Sequence, residues 1–275
     1  MDPAREVHVA SGWQLADSDW NHWPDGLRDD EIWPLAAGLE VSGVEVGVYA
    51  ATDELSADRV ARRQSLVAAH RLPVLAVLLS LPAQRWPGGA FTGRPDAVAA
   101  EVRSCASVCR RWGLRTLGVW PGADPSTASW DSFVTGVRQA RDAADELGVR
   151  LAVEYKPGTM VPDAAAALEL VRAAPGTGVL LDTGHAYAAG EDPADVVRRL
   201  GDRLWHVHLG DAAPGREDDD LPLGRLHDAR PVLAALDAVG FTGVAAFDLY
   251  GAVSDGGQTG RQAVAESLAH LGNRR

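Results

Sequence analysis

Short apolar runs rich in Val, Leu and Ile alternate with longer amphipathic runs along most of the chain. The short runs predict strands over Glu6–Ala10, Val44–Tyr49, Pro73–Leu79, Thr116–Trp120, Arg150–Tyr155, Gly178–Asp182, Leu204–Leu209 and Val244–Leu249. The longer runs are rich in Ala, Arg and Leu and keep one apolar face at helical spacing. They predict helices over Asp30–Leu39, Ala57–Ala69, Asp96–Trp112, Ser132–Leu147, Asp163–Ala173, Pro193–Leu200, Ala229–Val239 and Gln258–Leu271. Arg111-Trp112-Gly113-Leu114, Glu146-Leu147-Gly148-Val149 and Val239-Gly240-Phe241-Thr242-Gly243 read as helix-to-strand turns, with Gly near the helix end. This alternation over 275 residues predicts a single (β/α)8 TIM barrel domain, 1–275, in the α/β class. A doubly wound sheet would need a Gly-rich phosphate turn after an early strand, and Ser11-Gly12-Trp13-Gln14 lacks that spacing.

Composition narrows the function. Hydrophobic residues make up 46% of the chain, ample for a large core. The net charge of −12 and pI near 5.0 argue against a nucleic-acid binder, which needs a basic surface. Cys105 and Cys109 stand one helical turn apart with no other metal-ligating type beside them, so buried free thiols in a reducing compartment are expected. The N-terminal MDPAREVHVASG has no basic-then-apolar leader pattern, and no apolar run is long enough to span a membrane. A cytoplasmic protein without membrane partners is the expectation, and its exposed helices leave room for a homo-oligomer.

Lys156 is the only lysine; the other basic residues are all Arg. Lysine offers a compact ammonium that donates to a single oxygen, unlike the forked guanidinium. Lys156 follows Glu154 by two residues, the spacing that puts both side chains on one face of a strand. The alternative is an exposed ion pair worth at most ~1 kcal/mol. Catalytic residues of such barrels stand at the C-terminal strand ends. There, strand five ends in Glu154-Tyr155-Lys156, strand six in Asp182-Thr183-Gly184-His185, strand seven in His206-Val207-His208-Leu209-Gly210-Asp211 and strand eight in Asp248. Singly, each is as well explained as a cap or a turn, as Asp182 before Thr-Gly illustrates. Together they predict a divalent-metal site of oxygen and nitrogen ligands, suited to Mn²⁺, Mg²⁺ or Co²⁺, with Zn²⁺ as a further candidate. Of His206 and His208, one is expected to ligate and the other to pack.

The segments SGVEVGVYA, LAVEYKPG, VLLDTGHAYAAGEDP, LWHVHLGD and GFTGVAAFDLYG resemble the xylose-isomerase-like TIM-barrel superfamily of sugar and sugar-phosphate isomerases and epimerases. The resemblance implies that Glu154, Asp182, His208 and Asp248 bind one ion. Many members carry Glu on the last strand, where Asp248 is one methylene shorter. The Glu-x-Lys pair and the Asp-x-x-His pair are also similar to the two-metal aldose–ketose isomerases. That pattern implies a second ion held by His185, Asp218 and Asp220, with Lys156 donating to the substrate carbonyl. It also implies hydride shift rather than proton abstraction. The chain departs from those isomerases in lacking a histidine at the ends of strands two and three.

The expected function is a divalent-metal-dependent isomerase or epimerase of a sugar or similar hydroxy-carbonyl compound, with Mn²⁺ the favoured ion. Glu154, Lys156, His185 and Asp248 are the expected catalytic residues. Trp13, Trp86, Trp120, His185 and Arg216 are candidates for substrate contact, the tryptophans because aromatic faces stack on sugar rings. Trp20, Trp23 and Trp33 crowd the first loop, and His8 is expected to pack inside the barrel. The rivals are a metal-dependent lyase or dehydratase of the same superfamily and a non-catalytic ligand-binding barrel.

Overall fold

The computed structural model describes residues 12–122 and 128–272. Its strands are β1 (Gln14–Ser18), β2 (Gly43–Val48), β3 (Val74–Ser80), β4 (Thr116–Trp120), β5 (Arg150–Glu154), β6 (Gly178–Asp182), β7 (Leu204–Leu209) and β8 (Val244–Phe247). They form a closed parallel barrel in sequence order, with β1 paired to both β2 and β8. One long helix follows each strand: α1 (Asp29–Ala37), α2 (Ala57–His70), α3 (Pro95–Trp112), α4 (Trp130–Asp145), α5 (Ala164–Ala173), α6 (Pro193–Leu200), α7 (Arg230–Ala238) and α8 (Gly260–Gly272). This is the (β/α)8 TIM barrel. Among the described residues no helix is long and apolar enough to cross a membrane.

The first strand departs from expectation. Glu6–Ala10 and His8 lie outside the described residues, and the barrel closes on Gln14–Ser18 instead. Asp17 and Ser18 are buried in that strand, so the segment lacks the apolar signature of its neighbours. The other strands agree with the predicted ones to within a residue or two.

Two apolar clusters divide the interior. The larger packs the outward strand residues, such as Val46, Val77, Leu117 and Val153, against the helices, with Trp33, Trp86, Cys105 and Cys109 among them. The smaller, Trp20, Leu78, Ala152 and Leu180, lies inside the barrel and floors the site. Side chains on one strand face alternate with a period of two. Above Leu78, Ala152 and Leu180 the same face therefore presents Ser80, Glu154 and Asp182 at the C-terminal rim. Gly47 leaves the room that Trp20 fills, since a Cβ there would lie 2.6 Å from the Trp20 ring.

Candidate metal and substrate site

His208 is fully buried, and its Nδ1 looks onto three carboxylates. It lies 3.3 Å from Asp248 Oδ2, 3.6 Å from Glu154 Oε1 and 3.9 Å from Asp182 Oδ2. Ligand atoms of Glu154, Asp182 and His208 all fall within 4.8 Å of one another. Ligands about 2.0–2.2 Å from one ion can be at most ~4.4 Å apart, so small adjustments suffice. Asp182 Oδ2 and His208 Nδ1 are buried without a hydrogen-bond partner. Buried polar atoms are otherwise nearly always paired, so these orphaned atoms fit a cation between them.

Local structure explains how Asp182 keeps one oxygen unpaired. Asp182 caps the short helix Thr183–Ala188, its Oδ1 accepting from the amides of Gly184 at 2.6 Å and His185 at 3.2 Å. The cap thus fixes the carboxylate and aims Oδ2 inward. The cap role leaves Asp182 Oδ2 free to face the other candidate ligands.

Glu45 completes the arrangement, and sequence reasoning assigned it no role. It is fully buried on β2, accepting from His206 Nε2 at 2.6 Å, while its other oxygen lies 3.0 Å from His208 Nε2. Burial pushes Glu45 up, but the His208 and His206 imidazoles outweigh it and hold the carboxyl well below its usual range. The contact to Nε2 turns Nδ1 of His208 toward the three carboxylates, the way a carboxylate partner fixes a ligating histidine. His206 packs on Glu45 beside it. The signal in the chain is an acid in the middle of the apolar run Val44-Glu45-Val46, which a protein buries only when it is paired. Glu45→Gln removes the charge and leaves one acceptor oxygen for two imidazoles, and is expected to weaken Mn²⁺ binding ~10–100-fold, measured by titration calorimetry on chelator-stripped protein.

A cavity of about 150 Å³ opens above these residues. Trp20, Tyr49, Trp120 and Tyr250 form its aromatic walls, and Glu154, Lys156, His185, Asp218, Asp220 and Asp248 supply its polar groups. Lys156 stands 5.5 Å from the Trp120 ring centroid and pairs with Asp218 at the rim. Burial pulls Lys156 down, but Asp220, Asp218 and Glu154 together raise it, so it remains an ammonium. His185 Nδ1 lies 3.2 Å from the Tyr155 carbonyl and 3.3 Å from Glu154 Oε1. Burial opposes its charge, yet Asp182 and Glu154 push it up to about 9.

The second candidate ion site is rearranged relative to expectation. Asp182, His185 and Asp220 have ligand atoms within 4.8 Å of one another, whereas Asp218 is 78% exposed and pairs with Lys156. Asp220 reaches inward on a left-handed backbone (φ 40°), with Oδ2 accepting from the Gly251 amide at 3.0 Å.

Three expected substrate contacts stand away from the cavity. Trp13 precedes β1, at the opposite end of the barrel, and donates to Asp237 on α7 at 3.0 Å. Trp86 is buried in the outer core, its ring beside the Arg94 and Arg85 guanidiniums. Arg216 is exposed and pairs with Asp219 at 2.9 Å. Of the expected aromatic contacts only Trp120 reaches the cavity; Trp20, Tyr49 and Tyr250 take the places of the others.

Known proteins share this architecture. A segment of 86 residues is 36% identical to an inosose dehydratase of Geobacillus kaustophilus and covers 30% of this chain. Another of 93 residues is 31% identical to an inosose dehydratase of Lacticaseibacillus casei and covers 33%. These segments span 28% and 31% of those relatives' own lengths. The fold superposes on D-allulose 3-epimerase from Methylomonas sp. with a TM-score of 0.75 at 18% identity, covering 96% of this chain and 99% of that one. It superposes on the IOLI protein with a bound zinc atom with a TM-score of 0.72 at 18% identity, covering 94% and 97%. Likenesses at these identities speak for the fold. The sequence profile described as xylose isomerase-like TIM barrel matches residues 33–274, and the chain belongs to that family.

Proposed function

We propose that this protein is a divalent-metal-dependent enzyme that removes a proton beside the carbonyl of a small polyhydroxylated ketone and returns it to isomerise or epimerise the substrate. The observation that carries the reading is the convergence of Glu154, Asp182, His208 and Asp248 beneath a cavity that also holds Lys156. Those four side chains would hold the ion. When bound, a divalent cation supplies Lewis acidity toward a carbonyl or hydroxyl oxygen. Glu154 and Asp248 reach the cavity from β5 and from the residue after β8, so they approach a substrate from different sides. One carboxylate can accept the proton from carbon while the other gives one to the opposite face, which epimerises the centre, or a single carboxylate can return it to the neighbouring carbon, which isomerises the substrate. Lys156, a rim ammonium, donates to the substrate oxygen on which charge develops. The walls of Trp20 and Trp120 offer faces for the apolar side of a sugar ring.

Dehydration is the second reading, favoured by the segments similar to inosose dehydratases. It shares the first proton abstraction and differs in expelling a neighbouring hydroxyl with a proton from Lys156 or His185. Turnover of a panel of ketoses and inososes in D₂O, followed by NMR with Mn²⁺-loaded protein, tests both. Deuterium at the reacting carbon of an isomer or epimer is the expected result. A product lacking one hydroxyl selects dehydration. Conversion without deuterium, with none gained when product is held with the enzyme in D₂O over many turnovers, points to hydride shift and overturns proton abstraction, since even a shielded base exchanges over that time.

A further inference from the structure

The β8 ladder stops one residue short of the site. Its last registered pairs are Phe247 with Asp17 on β1 and Phe247 with Leu209 on β7. Asp248 follows immediately, its amide reaching the Leu209 carbonyl at 3.3 Å. Beyond that point the backbone is held by a side chain. Asn21, in the 3-10 helix Asp19–His22 that follows β1, is fully buried. Its amide nitrogen donates to the Phe247 carbonyl at 2.9 Å, and its oxygen accepts from the Leu249 amide at 2.8 Å. These two backbone groups flank Asp248. The same nitrogen donates to Asp17 Oδ1 at 3.1 Å, and Asp17 Oδ2 lies 2.8 Å from His22 Nε2. The amide is thereby fixed in one orientation by a buried carboxylate.

We propose that Asn21 is a positioning residue for the metal site: it clamps the backbone on both sides of Asp248 and so sets where that carboxylate stands. The proposal rests on the reading of Glu154, Asp182, His208 and Asp248 as metal ligands. Its physical basis is the shortness of Asp248. Aspartate has one fewer rotatable bond than glutamate and reaches ~1.5 Å less far, one C–C bond. It has little freedom to absorb a backbone shift by changing rotamer, so the chain itself must be held. Asn21 replaces a ladder that has ended, and Asp17 gives it a fixed base.

The test measures Mn²⁺ affinity by EPR of the free ion, on wild type, Asn21→Leu, Asp248→Glu and the double variant. Asn21→Leu is expected to weaken binding by ~10-fold or more, the scale of losing a group that orients a ligand, with unchanged far-UV circular dichroism. Asp248→Glu, with its extra bond, is expected to shrink the cost of Asn21→Leu. A general packing role would instead leave the two effects independent. Hydrogen exchange of the Leu249 amide in metal-free wild type provides a second readout should Asn21→Leu fail to fold. Protection on the scale of the β8 ladder supports the clamp, and exchange at the rate of an open loop overturns it. Wild-type affinity in Asn21→Leu sinks the positioning role alone. A wild-type protein that binds no Mn²⁺ sinks the metal-site reading and the proposal with it.

Discussion

Glu154→Gln and His208→Ala are each expected to strip Mn²⁺ from the protein and to abolish measurable turnover. Both side chains face the same point, from β5 and β7 on either side of β6, and Glu154 Oε1 and His208 Nδ1 are 3.6 Å apart. Removing an outer partner of a metal ligand costs ~10–100-fold in affinity, and removing a ligand itself should exceed that. His208→Ala also leaves Glu45 buried with one imidazole where it had two. The measurement is metal content after gel filtration, with the melting temperature recorded with and without added Mn²⁺. Full metal occupancy in both variants would refute the site. Affinity in the wild type is expected to rise with pH, because binding must displace a proton from His208. Burial opposes that proton, but Glu45, Asp248 and Glu154 hold it well above the ordinary histidine range in the free protein.

The second large effect is at Lys156. Lys156→Met is expected to keep the fold and the bound ion but to lower kcat by ~10²–10³, the cost of one donor to a developing oxyanion. Lys156→Arg is expected to fail almost as badly. The guanidinium is a larger, planar fork, and the position is hemmed in by Trp120 and by Asp218 across the rim. The fold should tolerate both changes because the turn at residues 156–161 is held by the backbone and the Thr159 hydroxyl, not by the Lys156 side chain. The Lys156 amide bonds the Val161 carbonyl at 2.9 Å, and the Thr159 hydroxyl bonds the Lys156 carbonyl at 2.8 Å. Steady-state kinetics alongside metal content separates the two roles. Unchanged rates in both variants would make Lys156 a surface residue.

Most of the barrel is legible in the chain because its strands are buried on both faces and read as unbroken apolar runs. Arg150–Glu154 and Gly178–Asp182 are of this kind, and their terminal acids stand out against that background. Gln14–Ser18 is not, because part of its burial is bought with hydrogen bonds to Asn21 and His22. Glu45 escapes notice for a related reason: its partners His206 and His208 lie 161 and 163 positions further along, and only barrel closure brings them together. The tryptophans illustrate a different limit. Trp13, Trp86 and Trp120 look alike as residues near strand ends, yet Trp13 sits before its strand and Trp86 turns into the outer core. Aromatic content alone does not say which side of the sheet a ring will occupy.

Gly47 gives the cavity a property that its lining residues do not reveal. The Trp20 indole comes within 2.6 Å of where a β-carbon of residue 47 would be, so this wall of the cavity is set back by the width of a missing methyl group. The bore of the cavity is therefore governed from behind its own surface, by Gly47 on β2, which is not among the residues that line it. A family member with alanine there would need a smaller ring in place of Trp20 or would present a narrower mouth. The width of the cavity and the proposed metal ligands thus lie in separate parts of this barrel, the first at the Gly47–Trp20 pair and the second at the rim of β5 to β8.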